Sequence, residues 1–440
     1  MRQVHAVAAA LAALVTLVAA PAGPRPARAD QRVVIDDSTK AKRGLYPIAA
    51  PTPVDSDPAL AKLLTEVQTF DLAVASWFTV LDPRSFLADV KKEGLSIEVQ
   101  PWKDVGAFGV VKARAVSAGG EAVLTFKLYE LEKGAQPVLE REYRGPSGEA
   151  RKLVHRWCNE LVKHYTGEPG FFGSRIVFTA SRKKGKAIVA MDFDGHGAHG
   201  VSNNDSINIL PAFSRSGGII AFTSYMRSNP DLYVTSGSGR PRRLARYEGM
   251  NTGASFSPDG AKIALTLTRD GNPEIYVISA ADGTVVKRLT SNRYIDTSPA
   301  WSPDGSEIAF VSNREGGPQI FVMNADGSGV KRISTVSNYN QTPAWNPRPG
   351  TRQLAYTSRD DASGRMDILT HDLAGGKLVR VTQNQGNNEE PTWAPSGRVL
   401  AFSSARAGGS GIYLANADGT GEQRLVHKGG ATSPDWGPAP

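Results

Sequence analysis

One cysteine, Cys158, in 440 residues excludes an intramolecular disulfide and any zinc site built from several thiolates, so stability must come from burial. Histidine is also scarce, with seven in the chain. No GxSxG elbow, GxxxxGK[ST] phosphate loop or HExxH helix occurs, which removes the commonest hydrolase, nucleotide and zinc-peptidase signatures. His196 and His199, with Asp192 and Asp194 beside them, could form a weak metal site, but a polar glycine-rich turn accounts for them better. No metal, cofactor or catalytic residue is assigned.

Long apolar runs are missing too, except between Ala6 and Ala20. That stretch follows Arg2 and ends at Pro21, Pro24, Arg25, Pro26 and Arg28, too early for a span of about 20 residues. It has the form of a secretory signal peptide over residues 1–29, cleaved near Ala29 or alternatively after Ala22. The expected mature protein is exported, with no membrane span. Residues 1–29 carry three arginines and no acid, so removing them lowers the formal charge from +8 to +5. The remaining excess lies mostly in the second half, spread along the chain apart from Arg182, Lys183, Lys184 and Lys186. A dispersed excess of that size does not suggest nucleic acid as a partner.

What the chain has in plenty is turn formers, 45 Gly and 28 Pro, about one residue in six. They fall in a repeat. The strings PAFSRSG, ASFSPDG, PAWSPDG, PAWNPRPG, PTWAPSG and PDWGPAP place aromatics at Phe213, Phe256, Trp301, Trp345, Trp393 and Trp436, spaced by 43, 45, 44, 48 and 43 residues. Each unit continues with a Ser-Pro-Asp-Gly type turn, an apolar strand such as Ile308–Phe310, a third strand such as Ile320–Val322, and a fourth marked by Arg332-Ile333. Four short antiparallel strands per period make a propeller blade. The unit near Ile176–Phe178 lacks an aromatic first strand, while Pro434–Trp436 is a first strand with nothing after it. The two ends therefore complete one blade and close a ring of six.

Residues 30–168 lack the repeat and read as an extended arm (30–45) followed by an α/β domain (46–168). Helices are expected from Asp57 to about Phe70 and from Ser147 to His164. Strands are expected near Tyr46–Ala50, Phe78–Leu81, Gly106–Val116, Ala122–Leu131 and Pro137–Tyr143. The expected fold class is thus an N-terminal α/β domain followed by a six-bladed all-β propeller (169–440) closed by its C-terminal strand.

In a propeller the connection from a fourth strand to the next first strand lines the axial mouth. Those segments carry Met250, Asn251, Thr252 and Gly253; Tyr294, Asp296 and Thr297; Asn338, Tyr339 and Asn340; Asn388 and Glu389; and Thr432. None contains histidine, which argues against catalysis. Amides, acids and a few aromatics suit protein recognition. An exported propeller enzyme and a glycan-binding propeller, stacking sugars on Tyr294 and Tyr339, are the competing readings.

The order of signal peptide, arm, α/β domain, WSPDG repeats and terminal Pro434-Asp435-Trp436-Gly437-Pro438 resembles the TolB family of the Tol-Pal envelope system. The resemblance implies a monomeric periplasmic scaffold, supporting outer-membrane integrity and constriction during division. It also implies two partners: a TolA-like inner-membrane protein on the arm, at Asp30, Gln31, Arg32, Val33, Val34, Ile35 and Asp36, and a Pal-like peptidoglycan-associated lipoprotein at the mouth. Met250, Gly253 and Thr297 stand at the matching mouth positions.

Overall fold

A computed structural model describes residues 45–236, 239–406, 409–421 and 423–439. The signal peptide and the arm residues Asp30–Asp36 lie outside the described residues.

The first domain has five strands and two long helices: β1 (Tyr46–Ala49), α1 (Pro58–Val74), β2 (Phe78–Val80), β3 (Gly109–Ala118), β4 (Glu121–Glu130), β5 (Leu139–Pro146) and α2 (Ala150–Thr166). The sheet order is β2-β1-β3-β4-β5, with β1 parallel to β2 and β3 and the other pairs antiparallel. Helix α1 starts where Asp57 accepts the amide protons of Ala59 and Leu60 and Pro58 presets the first turn. It runs four residues past Phe70, to Val74. Helix α2 ends at Gly167, whose φ of 74° lets its N–H close back on Lys163 O. Both helices cover one face of the sheet, with Trp157 stacked on Phe126 of β4 at 4.8 Å. Two short helical segments, Val90–Glu93 and Val99–Asp104, cover the other face around the fully buried Trp102. There Lys112 and Glu93 form a buried ion pair at 2.5 Å, and Glu93 also accepts from the Trp102 indole at 3.2 Å. Sequence periodicity did not reveal these two segments, because four and six residues are too few to define a helical face.

Six four-stranded sheets follow in a ring. The innermost strands are Asn208–Phe213, Asn251–Phe256, Asp296–Trp301, Asn340–Trp345, Asn387–Trp393 and Ala431–Trp436. The last pairs antiparallel with Arg175–Ser181 and completes the blade that the first propeller strands begin, as expected. The repeated aromatics are 4–8% exposed, which makes them inter-blade packing. The Trp345 indole donates to Ala300 O of the blade before it and Trp393 to Ala344 O, at 3.1 and 3.0 Å. In three blades the side chain just before the aromatic also stitches neighbours together. Ser255 Oγ accepts from Trp301 N–H, Thr392 Oγ1 from Trp436 N–H, and Asp435 Oδ2 from Phe213 N–H at 2.6 Å across the closure. Burial pushes the Asp435 carboxyl up to about 6, partly offset by that amide.

The α/β domain packs on the end of the propeller formed by the first-to-second and third-to-fourth strand turns. Phe171 and Phe172 of the linker, Phe193 of the closing blade, Trp436 and Phe70 of α1 form one aromatic cluster, continuous with the core between helices and sheet. Asn159 of α2 fixes the linker by bonding both N–H and C=O of Phe172. The opposite end, bearing the fourth-to-first connections, is clear of the α/β domain among the described residues. Trp436→Ala should cost about 3–5 kcal/mol and lower the denaturation midpoints of both domains together in urea, monitored by circular dichroism and tryptophan fluorescence.

Candidate partner-binding site

The mouth is built by the first few residues of each inner strand, and their side chains divide sharply. The position five before each aromatic, Asn208, Asn251, Asp296, Asn340, Asn388 and Ala431, is 0% exposed. The five polar ones among them face inward and are bonded within the protein. Asn251 Nδ2 donates to Tyr247 O and Gly249 O, at 2.7 and 3.1 Å, while its Oδ1 accepts from Tyr247 N–H. Asn340 Nδ2 donates to Val336 O and to Gln319 Oε1. Asn388 Oδ1 accepts from the Ser404 hydroxyl at 2.8 Å. Asp296 accepts from Asn292 Nδ2 and from Arg314 Nη2 at both oxygens. Thr252 is buried as well and accepts from the Thr223 hydroxyl. Asn251, Thr252, Asp296, Asn340 and Asn388, expected from the sequence as contact residues, are therefore buried side chains bonded within the protein.

The other expected residues do reach the surface. Asn338 and Glu389 are exposed, and Met250, Gly253, Tyr294, Thr297, Tyr339 and Thr432 are partly so. The two tyrosines are held by arginines over their rings, Arg293 at 5.2 Å from Tyr294 and Arg359 at 5.1 Å from Tyr339. Arg359 also donates to Asn338 Oδ1. Loss of surrounding water raises the Glu389 carboxyl, with neighbouring Glu390 adding to the rise, and burial raises the Tyr339 hydroxyl.

Of the channel wall below this rim, sequence reading picked out Gly253 and missed the other five positions. Three positions before each aromatic, Leu210, Gly253, Ser298, Thr342, Glu390 and Ser433 all adopt φ between 50° and 66°. The strand register slips there in every blade, a β-bulge repeated six times. A left-handed conformation at a non-glycine residue costs about 1–2 kcal/mol, so five of the six blades retain a strained residue at one height of the channel. Proline follows it in five blades, at Pro211, Pro299, Pro343, Pro391 and Pro434. Together these residues line an axial cavity of 440 Å³. Glu390 bridges blades in the wall, accepting from the hydroxyls of Ser403 at 3.0 Å and Ser433 at 2.8 Å. The signal present in the sequence is the proline two residues ahead of the aromatic in five of the six repeats. His196 lies in a turn at the other end of the propeller and His199 opens the strand His199–Gly200 that follows, and no group of three metal-ligating side chains occurs among the described residues.

An α/β domain docked on one end of a six-bladed propeller, leaving a strained polar mouth at the other, defines a two-domain propeller scaffold. Comparison with known proteins makes this specific. Residues 162–439 match the model of the TolB beta propeller domain and residues 33–137 that of the TolB amino-terminal domain. The Tol-Pal system protein TolB of Myxococcus xanthus is 40% identical over 402 residues, covering 90% of this chain and 92% of the relative. The match to the protein of the same name from Desulfosudis oleivorans, 36% identical, spans about half of either chain, 222 residues. A crystal structure of TolB from Acinetobacter baumannii has the same fold, with a TM-score of 0.79 at 24% identity over 89% of this chain and 97% of that one. The chain belongs to the TolB family.

Asn251→Ala, which leaves the carbonyls of Pro230, Tyr247 and Gly249 without this donor, should destabilise the propeller by about 1–3 kcal/mol in chemical denaturation. Because its side chain does not reach the surface, the folded variant should keep its partner affinity, measured by calorimetry.

Proposed function

We propose that the protein is a component of the Tol-Pal system, an exported periplasmic scaffold without catalytic function that links an outer-membrane lipoprotein to an inner-membrane protein. The peptidoglycan-associated lipoprotein occupies the propeller mouth, and the TolA-like protein takes the arm at Asp30–Asp36. In this role the protein supports outer-membrane integrity and constriction during division. The supporting observation is the free end of the propeller. Its accessible rim of Met250, Gly253, Tyr294, Thr297, Asn338, Tyr339, Glu389 and Thr432 joins two braced aromatic anchors to polar groups, the composition of a protein-binding patch. Family membership and the relatives' names support the system, the rim geometry supports the mouth as a protein-binding site, and the arm assignment and the partners' identities rest on the family resemblance. No helix among the described residues is long and apolar enough to cross a membrane.

The two domains leave a groove of 1380 Å³ between them, lined by Leu45, Phe70, Val74, Phe78, Val399 and Leu414, among others. Its lining includes Leu45, where the described chain begins, so an arm that docks there or is released would shift between two populations. Paired substitution Tyr339→Ala and Thr297→Arg should weaken capture of the lipoprotein at least tenfold while leaving TolA binding intact. Deleting residues 30–36 should do the reverse, both read by calorimetry with purified partners. Lipoprotein binding unaffected by the rim substitutions, or TolA binding unaffected by the deletion, would sink the corresponding assignment.

A further inference from the structure

The contact between the two domains contains a buried charged group that neither the fold nor the proposed partners require. His155 of α2, 3% exposed, sits with Nδ1 2.8 Å from Asp71 Oδ2 on α1 and Nε2 3.3 Å from Asp194 Oδ2 in the turn after strand Lys186–Asp192 of the closing blade. Asp71 belongs to the same domain as the histidine, whereas Asp194 belongs to the propeller. An imidazole with a carboxylate beside each nitrogen is favoured as the cation, hydrogen-bonded to Asp71 and in charge contact with Asp194. We infer that His155 is the charged pin of a latch between the domains, an imidazolium held by Asp71 and Asp194, and that loss of its proton frees the α/β domain to move against the propeller.

Every charged or titratable group facing this histidine fits that role. Arg151, one turn earlier on α2, donates to Asp194 from Nε at 2.9 Å and from Nη2, so Asp194 remains anionic in a buried turn. The N–H of His196 also donates to Asp194, at 3.1 Å. From α1 comes Asp71, and from α2 itself the Cys158 thiol, which lies against Asp71 with its own titration pushed far up by burial. The Phe193 ring packs edge-on to the imidazole at 5.4 Å and shields it from water. Burial alone would lower His155, but the two carboxylates outweigh it and raise it to about 9. Burial likewise opposes the charge on Asp194, yet His155 and Arg151 bring it down to about 2, while burial dominates for Asp71 and lifts it to about 6.

The pH window follows from these directions. The histidine is raised in the folded state, so its contribution is whole below its ordinary 6.5 and disappears as pH rises through about 9. Asp71 is raised too, and below about 6 it takes a proton and leaves Asp194 as the one anionic partner. All three charges coexist between about pH 6 and about 9.

A second clamp beside the latch contains no histidine. Glu168 of the linker pairs with Arg348 of the fourth blade and lies 4.0 Å from Arg398 of the fifth, and Arg398 stacks 3.6 Å over Trp77 of the α/β domain. The linker therefore stays attached when the latch opens, and the expected motion is a hinge about that clamp.

The test is the distance distribution between spin labels on the two domains of the full chain, at Lys62→Cys and Lys377→Cys, with buried Cys158 left unlabelled. Between pH 6.5 and 7.5 the distribution should be narrow, and above pH 9 it should broaden by at least twofold in width, tracking the His155 titration followed by NMR. His155→Gln should be broad at pH 7 and insensitive to pH. Asp194→Asn, which alters the propeller side, should move the broadening to lower pH and serves as the informative variant if His155→Gln fails to fold. A wild-type distribution that stays narrow to pH 10, or broadens without a His155 titration between pH 8 and 10, would overturn the inference. So would a His155→Gln protein that matches wild type at pH 7.

Discussion

The pairing of Ala431–Trp436 with Arg175–Ser181 is the constraint on which the rest of the molecule depends. It joins the last strand of the chain to the first strand of the propeller and so removes the two open edges that an unclosed ring would present. It is reinforced on both sides. Asp435 reaches into the first blade to take the Phe213 amide, and Thr392 of the fifth blade takes the Trp436 amide. A buried carboxyl here is costly unless its acceptor atoms are used, and both of its oxygens are.

The same blade carries the other domain. Trp436, Phe193 and the linker phenylalanines belong to the core that runs on through α1 and α2 into the five-stranded sheet. Ring closure and domain docking therefore share side chains, and a change in one is felt in the other. Apolar contacts supply the attraction, while the polar groups around them, Asp194 with Arg151 and His155 and Asn159 with Phe172, supply direction. An apolar patch alone would tolerate many relative orientations of the two domains.

The ring was legible because one large aromatic per blade recurs at nearly constant spacing and because the incomplete units at the two ends complement each other. The inward orientation of Asn251, Asp296, Asn340 and Asn388 was not. A polar residue beside a loop reads as surface, and the bulge three residues before each aromatic breaks the two-residue alternation that would have indicated the facing. In the α/β domain the long helices were legible from their apolar faces, though α1 runs four residues further than its periodicity indicated. His155 could be placed on α2 from the sequence, but not between two carboxylates, one of which comes from a blade nearly forty residues later. Contacts of that kind depend on docking, which leaves no periodic trace in the chain.

The longest of the six repeats, 48 residues from Trp345 to Trp393, has part of its surplus in its first-to-second strand turn. Nine residues separate Trp345 from its strand partner Leu354, against seven between Trp301 and Ile308. Arg348, which meets Glu168 of the linker, stands in that enlarged turn. Apart from its closing blade, a ring of near-equivalent units has no preferred place for a second body to land. Two added residues in one blade make its corner unlike the other five and thereby give a rotationally repetitive object a front.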